Sequence, residues 1–200
     1  MSKVIPTLIL SGLVALSLQG CIEMAVGTAV VSTLAATDRR TFGAQTEDTT
    51  ITIKGETRIK NNFPAAHVNV TSFNRKVVLT GEVQNDAMRG AIEKEIGTID
   101  GVLAVANELE IAGNSSFTER SNDILISTKV KASLIERKDL SSQAIKVVTE
   151  RSIVYLLGRV TEDEGKVAAE VASGVSGVRK VVKLFEYISR DELRRISGGV

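Results

Sequence analysis

The stretch VNVTSFNRKVVLTGEV, residues 68–83, aligns without a gap on IKVVTERSIVYLLGRV, residues 145–160, at a constant offset of 77. Farther on, GVLAVANELEI, residues 101–111, meets GVRKVVKLFEY, residues 177–187, at an offset of 76. An internal repeat constrains the fold more than any composition does, because both copies must solve the same packing problem.

The unit is legible from its periodicities. Val68 and Val70 alternate with polar residues, as do Ile145 and Val147, which predicts a short strand in each copy. Asn74-Arg75 and Arg151-Ser152 provide turns, and Val77–Val83 and Ile153–Val160 form second strands, so each copy begins with a hairpin. Gly81 and Gly158 occupy matching places and suit a bulge or a close backbone approach. A helix follows. Asn85 or Asp86 can cap the first, with a stripe of Met88, Ile92, Ile96 and Ile99. Thr161 and Glu164 fit a capping box in the second, with Val167, Val171 and Val175 at helical spacing. Gly101 and Gly177 suit the left-handed residue past a helix end. Val102–Ile111 and Val178–Ile188 are the last strands, parallel to the second across the helical crossover.

Each copy also has a leading helix. Ile126, Val130 and Leu134 recur every four residues in the second copy, with Asn122 or Asp123 as cap. In the first copy Ile51, Gly55 and Ile59 occupy that stripe. Gly55 costs about 1 kcal/mol relative to Ala, which predicts a short or irregular helix, stopped by Pro64. The fold class is therefore α+β: two tandem α-β-β-α-β units, each a small mixed three-stranded sheet packed with two helices. The boundaries fall at 48–112 and 122–188, joined by a linker at 113–121. A tail at 189–200 carries a short helix.

The N-terminus has a different character. Lys3 is followed by an almost uncharged run, VIPTLILSGLVALSL, shorter than the roughly 20 residues of a spanning helix. It ends in Leu18-Gln19-Gly20-Cys21, with the only cysteine of the chain. This resembles a bacterial lipobox. The resemblance implies a signal peptide at 1–20, cleavage before Cys21 and acylation (diacylglycerol, palmitate) of Cys21. Residues 21–47 then form a lipidated tether, whose polar end from Asp38 to Asp48 reads as linker. Ile22 stands where lipoproteins retained at the inner membrane have Asp, which implies the outer membrane.

Composition excludes other classes. Without residues 1–20 the chain has 24 basic and 24 acidic side chains, since only Lys3 is removed. With no net charge and no Trp, neither steering toward nucleic acid nor stacking platforms are expected. His67 is the single histidine. It precedes a strand and reads as a surface or edge residue, without His or Cys partners for a three-ligand zinc site. Glu162 and Asp163 sit at a helix start, where the dipole favours them. No catalytic residue, metal or cofactor is expected.

The pattern Asp123, Ile126, Val130, Leu134, Ile145, Val147, Tyr155, Leu157, Gly158, Val160, Gly177, Val178 and Val181 resembles the BON domain, with Tyr155 at a usually aliphatic place. A lipobox followed by two such units is similar to the dual BON-domain outer-membrane lipoprotein family (DolP-like). The resemblance implies a role in outer-membrane integrity, facing the periplasm. It also implies binding of anionic phospholipid such as phosphatidylglycerol, chiefly through the first helix of the second unit.

Residues 123–137 bear on that role directly. With Ile126, Val130 and Leu134 inward, Ile124, Lys131 and Ile135 lie on nearly the opposite side, with Leu125, Thr128 and Lys129 on its flank. Apolar groups beside lysines suit a membrane interface, where the former enter the acyl boundary and the latter meet phosphate. Residues 123–188 carry 11 basic and 9 acidic groups, against 7 and 9 in residues 48–111. Two alternatives stay open: Ile124, Leu125 and Ile135 pack against the first unit, or the protein is an adaptor for outer-membrane assembly machinery.

Overall fold

The computed structural model describes residues 38–197. The first helix, α1 (Phe42–Asn62), runs 21 residues and is neither short nor irregular. Gly55 is tolerated because α1 lies so close to the sheet that a Cβ there would stand 2.7 Å from Val70 Cγ1. The helix entropy lost at one glycine is offset by that approach and by burial of Ile51 and Ile59. Thr46, Thr49, Thr50 and Thr57 each donate their hydroxyl to the carbonyl four residues back, so the β-branched run leaves no polar group unmet. α1 starts inside the segment expected to be linker, since Thr41 accepts the Ala44 N–H as N-cap.

β1 (His67–Phe73) and β2 (Lys76–Val83) form the hairpin, and β3 (Ala104–Ile111) returns parallel to β2 after α2 (Asp86–Gly97). The second unit repeats this. α3 (Phe117–Glu136) leads to the antiparallel pair β4 (Ile145–Glu150) and β5 (Ile153–Val160). α4 (Glu162–Ser173) then carries the chain to β6 (Lys180–Tyr187), parallel to β5. A final helix, α5, spans Arg190–Ser197. Asn85 caps α2, and Thr161 with Glu164 forms the capping box of α4. Gly81, Gly101 and Gly177 all take positive φ.

In each unit the helices cover one sheet face. Ile51, Ile59, Val77, Leu79, Ile92 and Ile96 fill the first core, and Ile126, Val130, Leu134, Val154, Leu156 and Ala168 the second. α4 buries Gly165, Ala168 and Ala172 fully, and of the expected stripe Val171 and Val175 pack, partly buried, against the same core. A Cβ on Gly165 would stand 2.9 Å from Tyr187 Cε1, so only small residues fit between α4 and β6.

The helix-free faces pack on each other. Phe73 and Val78 of the first unit join Ile153, Tyr155 and Leu157 of the second in one buried cluster. Both faces of β5 are thus covered, which is why Leu156-Leu157 blurs the alternation and why Tyr155, 2% exposed, sits inside. Burial pushes the Tyr155 phenol well above its usual range. Arg39 ties the start of this layered body to the second unit. Its guanidinium makes two hydrogen bonds to Glu164, 2.8 and 2.7 Å, and one to the Arg159 carbonyl. Residues Arg39–Val200 form one compact unit that contains all three apolar clusters, so a fragment 39–200 keeps the whole of the packed core. Among the described residues no helix is long and apolar enough to cross a membrane.

Candidate functional site

α3 is longer at its N-terminus than the apolar periodicity alone suggests. Its cap is Ser116, which lies in the segment expected to be linker, and neither Asn122 nor Asp123 fills that role. Ser116 Oγ accepts the Glu119 N–H and the Glu119 carboxylate accepts the Ser116 N–H at 2.7 Å. These bonds hold the exposed Glu119 carboxyl below the usual carboxylate range. Asp123 is instead buried under the β4–β5 turn and accepts the backbone N–H groups of Arg151 and Ser152.

Ile126, Val130 and Leu134 are buried at 1%, 0% and 1% exposure, which fixes the rotation of α3. The opposite side follows. Ile124, Leu125 and Ile135 are 67%, 59% and 69% exposed. None of them packs against the first unit, so that alternative falls. Thr128 is exposed too, and its hydroxyl is used internally, donating to the Ile124 carbonyl at 2.9 Å. Lys129 and Lys131 are exposed and have no carboxylate within ion-pair distance among the described residues. Phe117, 81% exposed at the start of α3, extends the apolar character.

A cleft of about 410 Å³ runs along one flank of α3, between that helix and the edge strands β1 and β4. Arg120, Ile124, Thr128 and Lys131 form its α3 wall, and His67, Asn69 and Glu150 its other side. Arg120 had no place among the sequence expectations. Of the described arginines only Arg120 and Arg195 lack a carboxylate partner; the others are paired. Sequence gives one hint of it: Arg120 stands one helical turn before Ile124 and three before Lys131 on the same stripe.

His67 stands at the sheet edge, as expected. It begins the edge strand β1, but its ring turns inward and its side chain is only 18% exposed. Nδ1 lies 2.8 Å from Glu82 Oε2 and 3.9 Å from Glu150 Oε1. Its partners are carboxylates 15 and 83 residues away, which His and Cys spacing does not reveal. Burial works to raise the Glu82 carboxyl, but hydrogen bonds from Ser115 and His67 outweigh it and hold it below the usual range. Burial pushes the Glu150 carboxyl above its usual range, aided by the Glu82 charge and opposed by His67 and Asn69. Cys21, with the signal peptide and most of the tether, lies outside the described residues.

Comparison with known proteins agrees with the repeat. The BON domain family model matches residues 47–113 and 122–189, well over half of the chain. The outer membrane lipoprotein DolP of Haemophilus influenzae is 34% identical over 174 residues, covering 86% of this chain and 90% of that protein. A 21 kDa hemolysin of Actinobacillus pleuropneumoniae is 28% identical, over 76% of this chain and 79% of its own length. The osmotically-inducible protein Y of Escherichia coli is 26% identical, over 68% and 70%. Among solved structures, the Chlamydia trachomatis type III secretion protein CdsD covers 74% of this chain and is itself covered to 98%. Its TM-score of 0.29 and 10% identity are too low to carry an argument.

Proposed function

The chain belongs to the BON-domain family, in the two-domain DolP-like arrangement, and from that premise we propose that it is an outer-membrane lipoprotein that binds anionic phospholipid through α3. It is anchored by acyl chains on Cys21, faces the periplasm and supports the integrity of that membrane. The observation that carries the reading is the outward side of α3. Three large aliphatic side chains are more than half exposed there, beside Lys129 and Lys131 without acidic partners. A solvated helix face has no physical reason to expose them together, whereas a bilayer interface takes up both kinds of group.

The cleft beside α3 extends the reading. Aliphatic groups at Ile124 would meet the acyl boundary while Arg120 and Lys131 flank a space large enough for a polar headgroup. Each cation near an anionic leaflet contributes about 1 kcal/mol, so lipid charge selects the membrane and the aliphatic groups hold it. The adaptor reading uses the same exposed face for a protein partner. Flotation of fragment 39–200 with vesicles separates the two. Binding to phosphatidylglycerol vesicles, and weak binding to phosphatidylcholine alone, is expected. No flotation with either lipid would leave the adaptor reading.

A further inference from the structure

We propose that His67, Glu82 and Glu150 form a divalent-cation site, suited to Zn²⁺, that joins the two BON domains. Their donor atoms lie within 4.8 Å of one another. His67 and Glu82 come from β1 and β2 of the first domain, and Glu150 from β4 of the second. Glu82 is wholly buried and Glu150 is 5% exposed, so these are not carboxylates of a solvated surface.

Lone-pair accounting isolates the site. Glu82 Oε1 accepts from Ser115 Oγ and from Arg151 Nη1, and Oε2 accepts the Ser115 N–H. One lone pair of Oε2 remains, directed at His67 Nδ1. Glu150 Oε2 accepts from Asn69 Nδ2 at 2.6 Å, while Oε1 lies 3.9 Å from His67 Nδ1. Three donor positions therefore converge, two of them held only by the His67 Nδ1–Glu82 Oε2 hydrogen bond that a cation would replace, and Ser115, Arg151 and Asn69 orient them from behind, as outer-shell partners do in metal sites. Arg151 acts on the far oxygen of Glu82, where its Nε also meets Glu110.

The spacing fits a small cation. Tetrahedral Zn²⁺ with bonds of about 2.0–2.1 Å sets its ligand atoms roughly 3.3 Å apart. The two separations around Nδ1, 2.8 and 3.9 Å, bracket that value. His67 and Glu150 also line the cleft beside α3, which leaves room for water in the fourth position. One imidazole nitrogen among the ligands favours Zn²⁺ over Mg²⁺ or Ca²⁺. For Nδ1 to bind, it must give up its hydrogen: a neutral ring moves it to Nε2, and an imidazolium releases it to solvent.

The test is calorimetric titration of tag-free fragment 39–200 with Zn²⁺, without lipid, so its outcome is independent of the membrane reading. His67 is the only histidine of the chain, which makes the variants clean. One-to-one binding is expected, with an unfolding midpoint that rises with Zn²⁺ concentration. His67→Ala and Glu150→Gln should each weaken binding at least tenfold. Glu150→Gln can still accept from Asn69, so it reports on ligation even if His67→Ala fails to fold. No saturable binding by the native fragment, or unchanged affinity in Glu150→Gln, overturns the proposal.

Discussion

Asp48 and Asp123 do the same work in the two domains: each is buried on a leading helix and accepts both backbone N–H groups of a hairpin turn. Asp48 takes those of Asn74 and Arg75 at 2.7 and 2.8 Å, and Asp123 those of Arg151 and Ser152 at 2.9 and 2.8 Å. All four turn residues have positive φ without being glycine, a conformation that side chains disfavour. The carboxylate holds the turn in that state and locks the helix to the hairpin. Asp123→Ala would leave two partly buried N–H groups without an acceptor. A loss of about 2 kcal/mol is expected, or roughly 5 °C in the unfolding midpoint of fragment 39–200. An unchanged midpoint would show that the turn holds itself.

Much of this architecture was legible because local signals agreed. The hairpins, the crossover and the stripes Ile92-Ile96-Ile99 and Ile126-Val130-Leu134 follow from period and turn chemistry. Three features of the fold escaped, each for a physical reason. The starts of α1 and α3 precede their apolar stripes, so only Thr41 and Ser116 mark them. The fully buried positions of α4 are Gly165, Ala168 and Ala172, because β6 raises Phe185 and Tyr187 against Gly165, and small residues carry no hydrophobic signal beside Val171 and Val175. The packing of the two sheets rests on Phe73, Val78, Ile153, Tyr155 and Leu157, whose alternation is hidden when both strand faces are buried. The exposed side of α3 from Ile124 to Ile135 was legible once its buried stripe was known, whereas Phe117 and Arg120 precede that stripe and were not. The His67 cluster was not, since it depends on how the two domains meet.

Gly158 faces the Ala144 carbonyl, and a Cβ there would stand 2.4 Å from that oxygen. Gly81 makes the same approach to the His67 carbonyl at positive φ. Because the obstacle is backbone, the second domain can relieve a clash only by displacing the turn before β4 or bending β5. Gly158→Val should lower stability by about 1–3 kcal/mol. A melting curve equal to that of the native fragment would show the approach to be dispensable.

The Arg39–Glu164 pair predicts an acid response. Burial works to raise the Glu164 carboxyl, but Arg39 and the Thr161 N–H prevail and hold it below the usual carboxylate range. A depressed folded-state value means that the contribution is complete above the unfolded value and is lost as pH falls through the folded one. Arg39→Ala should therefore destabilise the fragment at neutral pH and leave a smaller difference from native well below pH 4.5. Equal differences at pH 7 and in acid would exclude this pair as the source.

The anchor has its own test in the full-length chain. Cys21→Ser removes the thiol that the lipobox pattern requires, so palmitate labelling should vanish and an uncleaved precursor accumulate. Ile22→Asp should redirect the mature protein toward the inner membrane. Undiminished labelling of the first variant, or full outer-membrane recovery of the second, contradicts the corresponding step.

Leu125 offers the sharpest test of the membrane reading, because it is 59% exposed and no buried cluster includes it. Leu125→Glu removes one inserted side chain and adds a charge repelled by anionic headgroups. The lost insertion alone costs about 1.5–3 kcal/mol, and 1.4 kcal/mol is a factor of ten. Binding of fragment 39–200 to phosphatidylglycerol vesicles should fall at least tenfold, while the unfolding midpoint stays near native because the position faces outward. Lys129→Ala with Lys131→Ala should weaken binding less, and that loss should shrink at high salt, where screening already suppresses the attraction. A folded Leu125→Glu fragment that binds vesicles as well as native would remove α3 from the lipid surface and leave its exposed aliphatic side to a protein partner.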